Sequence, residues 1–141
     1  MSRRKGRILA FQGLYSWDVG GIKKEDVISL SWNRDDNSEE MNDDDSCVFA
    51  RVLLAGAIEN HEKIDELIKS HLSGWDFNRV NRVSLAILRM SVYSLLFQKD
   101  VPATIVIDEA IDIAKEYGQD DSFKFINAVL DNIRKEISLE K

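Results

Sequence analysis

Residues 83–97 read Val83-Ser84-Leu85-Ala86-Ile87-Leu88-Arg89-Met90-Ser91-Val92-Tyr93-Ser94-Leu95-Leu96-Phe97. Apolar side chains fall on nearly every side of a helix drawn through this stretch, so it predicts a central helix enclosed by others rather than one lying on a surface. It is shorter than the ~18 apolar residues that a membrane span needs, and Arg89 interrupts it. An unpaired guanidinium among apolar neighbours is costly, so Arg89 requires a carboxylate partner. Glu109 or Asp112, on the following segment, supplies the expected one, and Arg89–Glu109 is read as a structural ion pair rather than a ligand contact.

Working outward from this helix, almost every segment keeps helical spacing, and Pro102 is the only proline in the chain. Pro102 fits the first turn of the next helix, near the N1 position, where its missing N–H has no intrahelical partner to lose. The β-prone run Thr104 to Ile107 leads into the stripe Val106, Ala110, Ile113, Tyr117, which selects helix, with Gly118 as its C-cap. Asp120, Asp121 and Ser122 offer N-caps for a last helix over about 122–137, striped by Phe123, Ile126, Val129, Leu130 and Ile133. Upstream, a helix is predicted over about 46–60 and another over about 63–70, separate or as a bent extension. Ser73-Gly74 breaks that run, and Trp75 and Phe77 are expected to seal the junction between two halves of the core. The first helix spans about 3–18 through Ile8, Phe11, Leu14 and Tyr15, stopped by Gly20-Gly21, and a short helix follows over about 25–31. The fold class is all-α. A chain of 141 residues accommodates one domain, with halves of about 1–74 and 75–141.

The single cysteine, Cys47, precludes an intrachain disulfide and reads as a small core residue. The N-terminus lacks the apolar segment and cleavage site of a signal peptide, so a cytoplasmic protein with no membrane association is expected. Net charge is −6, from 19 basic and 25 acidic residues, and as a total it argues against a polyanionic partner. Its distribution argues otherwise. Seven of the acids lie between Asp35 and Asp45, and without them the remainder stands at +1. That stretch reads as a solvated spacer, since neither Asp35 nor Asp43 opens an EF-hand loop with its required glycine.

Catalytic chemistry finds little support. His61 and His71 are ten residues apart, no cysteine set completes a metal site, and both histidines read as ordinary helix-surface residues. No phosphate-cradling glycine loop or nucleophile elbow occurs. No catalytic residue, metal or cofactor is expected. Nucleic-acid binding is better motivated. The first 17 residues hold Arg3, Arg4, Lys5 and Arg7 and no acid, with Gln12, Tyr15 and Trp17 following on the same helix. Arginine forks contact phosphates, and an exposed tyrosine can stack on an unpaired base. A solvated basic end with a core tyrosine fits these residues equally. The run Asp121-Ser122-Phe123-Lys124-Phe125 is a second candidate: Phe123 and Phe125 cannot both face one core, so either one is exposed or both are partly buried at a helix junction.

Taken together, these motifs resemble the NusB transcription antitermination family. The resemblance rests on Arg3-Arg4-Lys5-Gly6-Arg7 with Ala10-Phe11-Gln12-Gly13-Leu14-Tyr15-Ser16-Trp17, and on Ala86-Ile87-Leu88-Arg89-Met90 with Val92-Tyr93-Ser94-Leu95-Leu96. It continues through Asp100-Val101-Pro102, the run from Ile107 to Gly118, and the run from Asp121 to Asp131. It implies about seven helices in two small packed bundles, and no enzymatic activity. The implied function is binding of boxA, a single-stranded segment of ribosomal RNA transcripts, together with NusE, the tenth protein of the small ribosomal subunit. Other Nus factors and RNA polymerase would be reached indirectly, and relatives that self-associate imply a homodimer as an alternative state when RNA is absent. Carried over by position, Arg3, Arg4, Lys5 and Arg7 would hold phosphates, Tyr15 would contact a base, and Asp121, Lys124 and Phe125 would line the RNA path. Asp76 and Asp100 would face NusE. Ser84 and Leu85 stand where the family commonly has an acid and a base, and Ala128 replaces a usual glycine, implying slightly wider helix packing or a local shift. Two other readings use the same fold: a helical protein–protein adaptor without direct RNA binding, and the NusB-like domain of RNA cytosine methyltransferases. The second needs an α/β domain for which this chain has no length.

Overall fold

Eleven side chains of the apolar helix are buried, which explains why everything else is arranged around it. The computed structural model describes residues 3–30 and 45–139, and among these the chain forms seven α-helices and no strand. They are α1 (Arg3–Gly20), α2 (Lys24–Ile28), α3 (Asp45–Glu59), α4 (His61–Lys69), α5 (Arg82–Phe97), α6 (Ala103–Tyr117) and α7 (Ser122–Leu139), with a 3-10 turn at Phe77–Arg79 before α5. Helix α5 touches α1, α3, α4, α6 and α7. Leu85, Ile87, Leu88, Met90 and Val92 are each at most 1% exposed, and burial stabilises such side chains by about 1.5–3 kcal/mol apiece. Asn81 starts α5 by accepting hydrogen bonds from the N–H groups of Val83 (3.0 Å) and Ser84 (3.2 Å).

Several sequence expectations change here. Arg89 does not pair with Glu109. Its Nε and Nη2 donate to the two carboxylate oxygens of Asp65 on α4 at 2.8 and 2.9 Å, and its Nη1 lies 3.4 Å from Asp18 at the end of α1. The guanidinium leaves α5 toward α1 and α4, whereas Glu109 sits on α6 and is taken by Arg4 and Arg7 of α1. Pro102 is the N-cap residue rather than N1, with φ −56° and ψ 137°, a conformation its ring favours. Gly118 caps α6, in an extended rather than left-handed conformation. Helices α3 and α4 are separate, broken at Asn60, and Ser73 (φ 50°) and Gly74 (φ 92°) make the expected break after α4. Trp75 seals nothing: it is 63% exposed, while Phe77 is half-buried against the core. Ala128 is exposed, so its methyl widens no helix contact. His61 and His71 are half-buried rather than surface residues, the first against Trp17 and the second 3.2 Å from Glu136. Cys47 is buried as expected. The acidic stretch, apart from the exposed Asp45, lies outside the described residues, as does the end of the predicted second helix.

Close helix approach sets α1 in place. A Cβ on Gly6 would stand 2.8 Å from the Phe49 ring and 2.9 Å from the Ser46 carbonyl, so only glycine lets α1 press this closely on α3. Among the described residues no helix is long and apolar enough to cross a membrane.

Candidate nucleic-acid interface

The basic end of α1 is built from residues with different fates. Arg3 and Lys5 are exposed, and the Arg3 guanidinium lies 4.9 Å from the centre of the Phe49 ring. Arg4 reaches across to α6, where its Nε donates to Glu109 and its Nη2 to Asp112 at 2.9 Å. The bond to Glu109 above all holds its pKa above the ordinary arginine value. The Arg7 side chain is only 4% exposed, pressed over Phe49 at 5.3 Å with Glu109 3.9 Å away. Burial pushes the Arg7 pKa down, Glu109 opposes that shift, and the neighbouring Arg3 and Arg4 add to it. Arginine's pKa starts so high that the group stays charged. Thus α1 carries two outward cations, one cation held by carboxylates, and one that fastens the helix to its neighbours.

The same helix presents Tyr15, 37% exposed, so the reading of it as a core residue is set aside. One turn earlier, Phe11 packs on Tyr117 with ring centres 5.3 Å apart, which brings α1 beside the end of α6 and hence beside the α6–α7 junction. At that junction Asp121 adopts a left-handed φ of 67° and is exposed, with Lys124 Nζ 3.5 Å from its carboxylate. Phe123 and Phe125 are both half-buried, the second of the two alternatives offered by the sequence. Lysines 115 and 124 lie 4.9 and 5.9 Å from the Phe123 ring, and Phe125 packs on Trp75 at 5.8 Å. Cations and aromatic faces therefore line α1 and the α6–α7 junction, the two kinds of group that bind a single-stranded nucleic acid. No group of three or more His, Cys, Asp or Glu side chains suited to a metal occurs among the described residues.

The NusB family model matches residues 4–135. The chain belongs to the NusB family. Transcription antitermination protein NusB of Treponema denticola is 50% identical over 134 residues, covering 95% of this chain and 96% of that protein. Among solved structures, T. maritima NusB is similar at a TM-score of 0.82 and 36% identity, over 96% of this chain and 92% of that one. A complex of the antitermination factors NusB and NusE with double-stranded RNA contains a chain similar at a TM-score of 0.77 and 29% identity, over 95% of this chain and 96% of that one.

Of the sequence-predicted site, the structure brings Arg3, Arg4 and Arg7 together at Phe49 and Glu109 and sets Lys124 beside Asp121. Asp76 caps the 3-10 turn, accepting from the Asn78 N–H at 3.0 Å, while Asp100 is exposed in the α5–α6 turn. Sequence reasoning missed Phe49, Glu109 and Asp112 as the fasteners of the basic arm. The glycine between Lys5 and Arg7 was the available signal, since a glycine inside a helix marks close approach by a neighbour.

Proposed function

We propose that this NusB-family chain is a transcription antitermination factor that binds the boxA segment of ribosomal RNA transcripts together with NusE. The observation that carries the reading is the placement of exposed cations beside the exposed Tyr15 on α1 and beside half-buried aromatics at the α6–α7 junction, in a chain 50% identical to an antitermination protein over nearly its whole length. The structural likeness to a NusB chain solved with NusE and RNA supports the partner. Residues 1–141 act as one binding unit. Arg3 and Lys5 hold phosphates directly, and Arg4 exchanges carboxylate for phosphate. Arg7 acts mainly by holding α1 on Phe49. Tyr15 stacks on a base, and Lys124, Phe125 and Asp121 line the continuing path. Asp76 and Asp100 face the basic ribosomal protein. The role is regulatory rather than enzymatic, and it is exercised where transcription occurs, in the cytoplasm.

Titrating labelled boxA RNA with the protein, alone and with NusE, tests this: affinity rises in the ternary mixture, and no NusE-dependent gain overturns the reading. The adaptor alternative is best tested by point substitutions. Deleting residues 1–7 would also remove the Arg4–Glu109 bond and the Gly6 contact that seats α1.

A further inference from the structure

Trp75 is the most exposed large apolar side chain among the described residues, at 63%, on a connection that is held rather than loose. Its backbone N–H donates to the Leu72 carbonyl at 3.0 Å, the Ser73-Gly74 turn precedes it, and the Asp76 cap fixes the residue after it. Its ring leans on Phe125 at 58°, so one edge is anchored while much of the indole is open. Beside it lies a cleft of about 370 Å³ bordered by Trp75, Arg79, Asn81, Gln119, Asp121 and Phe125. That volume falls within the range of about 300–1,000 Å³ typical of small-ligand clefts.

The lining decides what enters. Asp120 and Asp121 both border the cleft, and carboxylates repel a phosphate while accepting hydrogen bonds from the N–H groups on a base edge. Asn81 has its amide oxygen committed to Val83 and Ser84, which leaves its NH2 to donate to a base carbonyl or ring nitrogen. Arg79 also borders the cleft and is exposed, so its cation is available to the sugar–phosphate strand of a bound nucleotide. A lining that combines aromatic rings, amides, carboxylates and one exposed cation suits an unpaired nucleobase, and Phe125 belongs to this cleft as well as to the α6–α7 junction.

We propose that Trp75 is the stacking wall of a base-binding pocket that takes one splayed nucleobase, with Arg79 on the adjoining phosphate. The inference rests on the RNA-binding reading and extends that RNA path onto the connection between α4 and α5. A protein segment seated on Trp75 is the competing occupant, and the experiment separates the two.

The test uses the full chain with NusE present throughout and a single-stranded boxA RNA, titrated at several salt concentrations. A stacking residue changes affinity but not the salt slope, whereas a phosphate contact changes the slope. Trp75→Ala lowers affinity about 5- to 140-fold with the slope unchanged, Trp75→Phe restores most of it, and Arg79→Ala reduces the slope by about one. Abasic substitution along the RNA then finds one position at which wild type and Trp75→Ala bind equally, the non-additivity expected of partners in contact. Trp75→Ala within twofold of wild type, or abasic penalties equal for the two proteins at every position, overturns the pocket while leaving the RNA reading intact. Loss of NusE binding with RNA binding untouched assigns Trp75 to the protein partner and also overturns it. If the wild type binds no RNA, both readings fall.

Discussion

Replacing Asp65 with alanine strands Arg89 in the core, and the size of the loss follows from the geometry. The two side chains are 7% and 14% exposed and are joined by two charge-assisted hydrogen bonds of 2.8 and 2.9 Å, so solvent screens them little. Breaking a buried pair by removing one partner costs about 3–5 kcal/mol. Asp18 remains 3.4 Å from Nη1 and is 21% exposed, which retains part of the compensation and places Asp65→Ala at the low end, about 3 kcal/mol. For a chain of this size that lowers Tm by roughly 6–12 °C. Urea unfolding gives the free energy directly. Asp112→Ala serves as the control: its carboxylate is 52% exposed, and it pairs with Arg4 rather than Arg89, so it costs no more than about 1 kcal/mol. Adding Arg89→Met to Asp65→Ala removes the stranded charge and recovers part of the stability. An Asp65→Ala loss below about 1 kcal/mol, or a double variant as unstable as the sum of its singles, would refute the assignment of this pair.

Other outcomes follow from the same coordinates. Tyr15→Ala weakens boxA binding by about 1–3 kcal/mol in an anisotropy titration, while Tyr15→Phe, which keeps the ring, retains most of the affinity. Lys124→Ala lowers the slope of log affinity against log salt by about one, uniformly across RNA sequences. Gly56→Ala drives a methyl to 2.1 Å from the Tyr93 ring between α3 and α5, and destabilises by about 1–3 kcal/mol in thermal unfolding. Asp131 has its carboxyl held below the ordinary range by hydrogen bonds from Arg134 and Lys135. Its small stabilising effect is therefore present at neutral pH and lost as the pH falls through the folded-state value. Asp131→Asn is slightly less stable than wild type at neutral pH and converges with it in acid.

Helix positions were legible in the sequence because they depend on local spacing: the run from Val83 to Phe97 lies within α5, and α6 begins directly after Pro102. Partner choice was not. The sequence points Arg89 to Glu109 or Asp112 on the following helix, yet the direction in which a side chain leaves a helix buried on all sides depends on which neighbours surround it. The basic arm shows the same limit: composition marked Arg3, Arg4, Lys5 and Arg7 as one group, while burial separated a fastener, Arg7, from outward-facing Arg3 and Lys5. Trp75 was read as a core seal because tryptophan is usually well buried. Its exposure depends on the backbone turn at Ser73-Gly74, and only the structure shows which way that turn carries the ring.

The hydrogen bond between Arg4 and Glu109 spans 105 residues of sequence, which gives the molecule a clock as well as a shape. At about 5–20 residues per second, synthesis delivers the carboxylate roughly 5–20 s after the arginine. Throughout that interval Arg4 is without the two carboxylates that hold it in the finished fold. Completion of α6 supplies Glu109 and Asp112 to Arg4, so α1 gains its tie to the second half of the fold only late in synthesis.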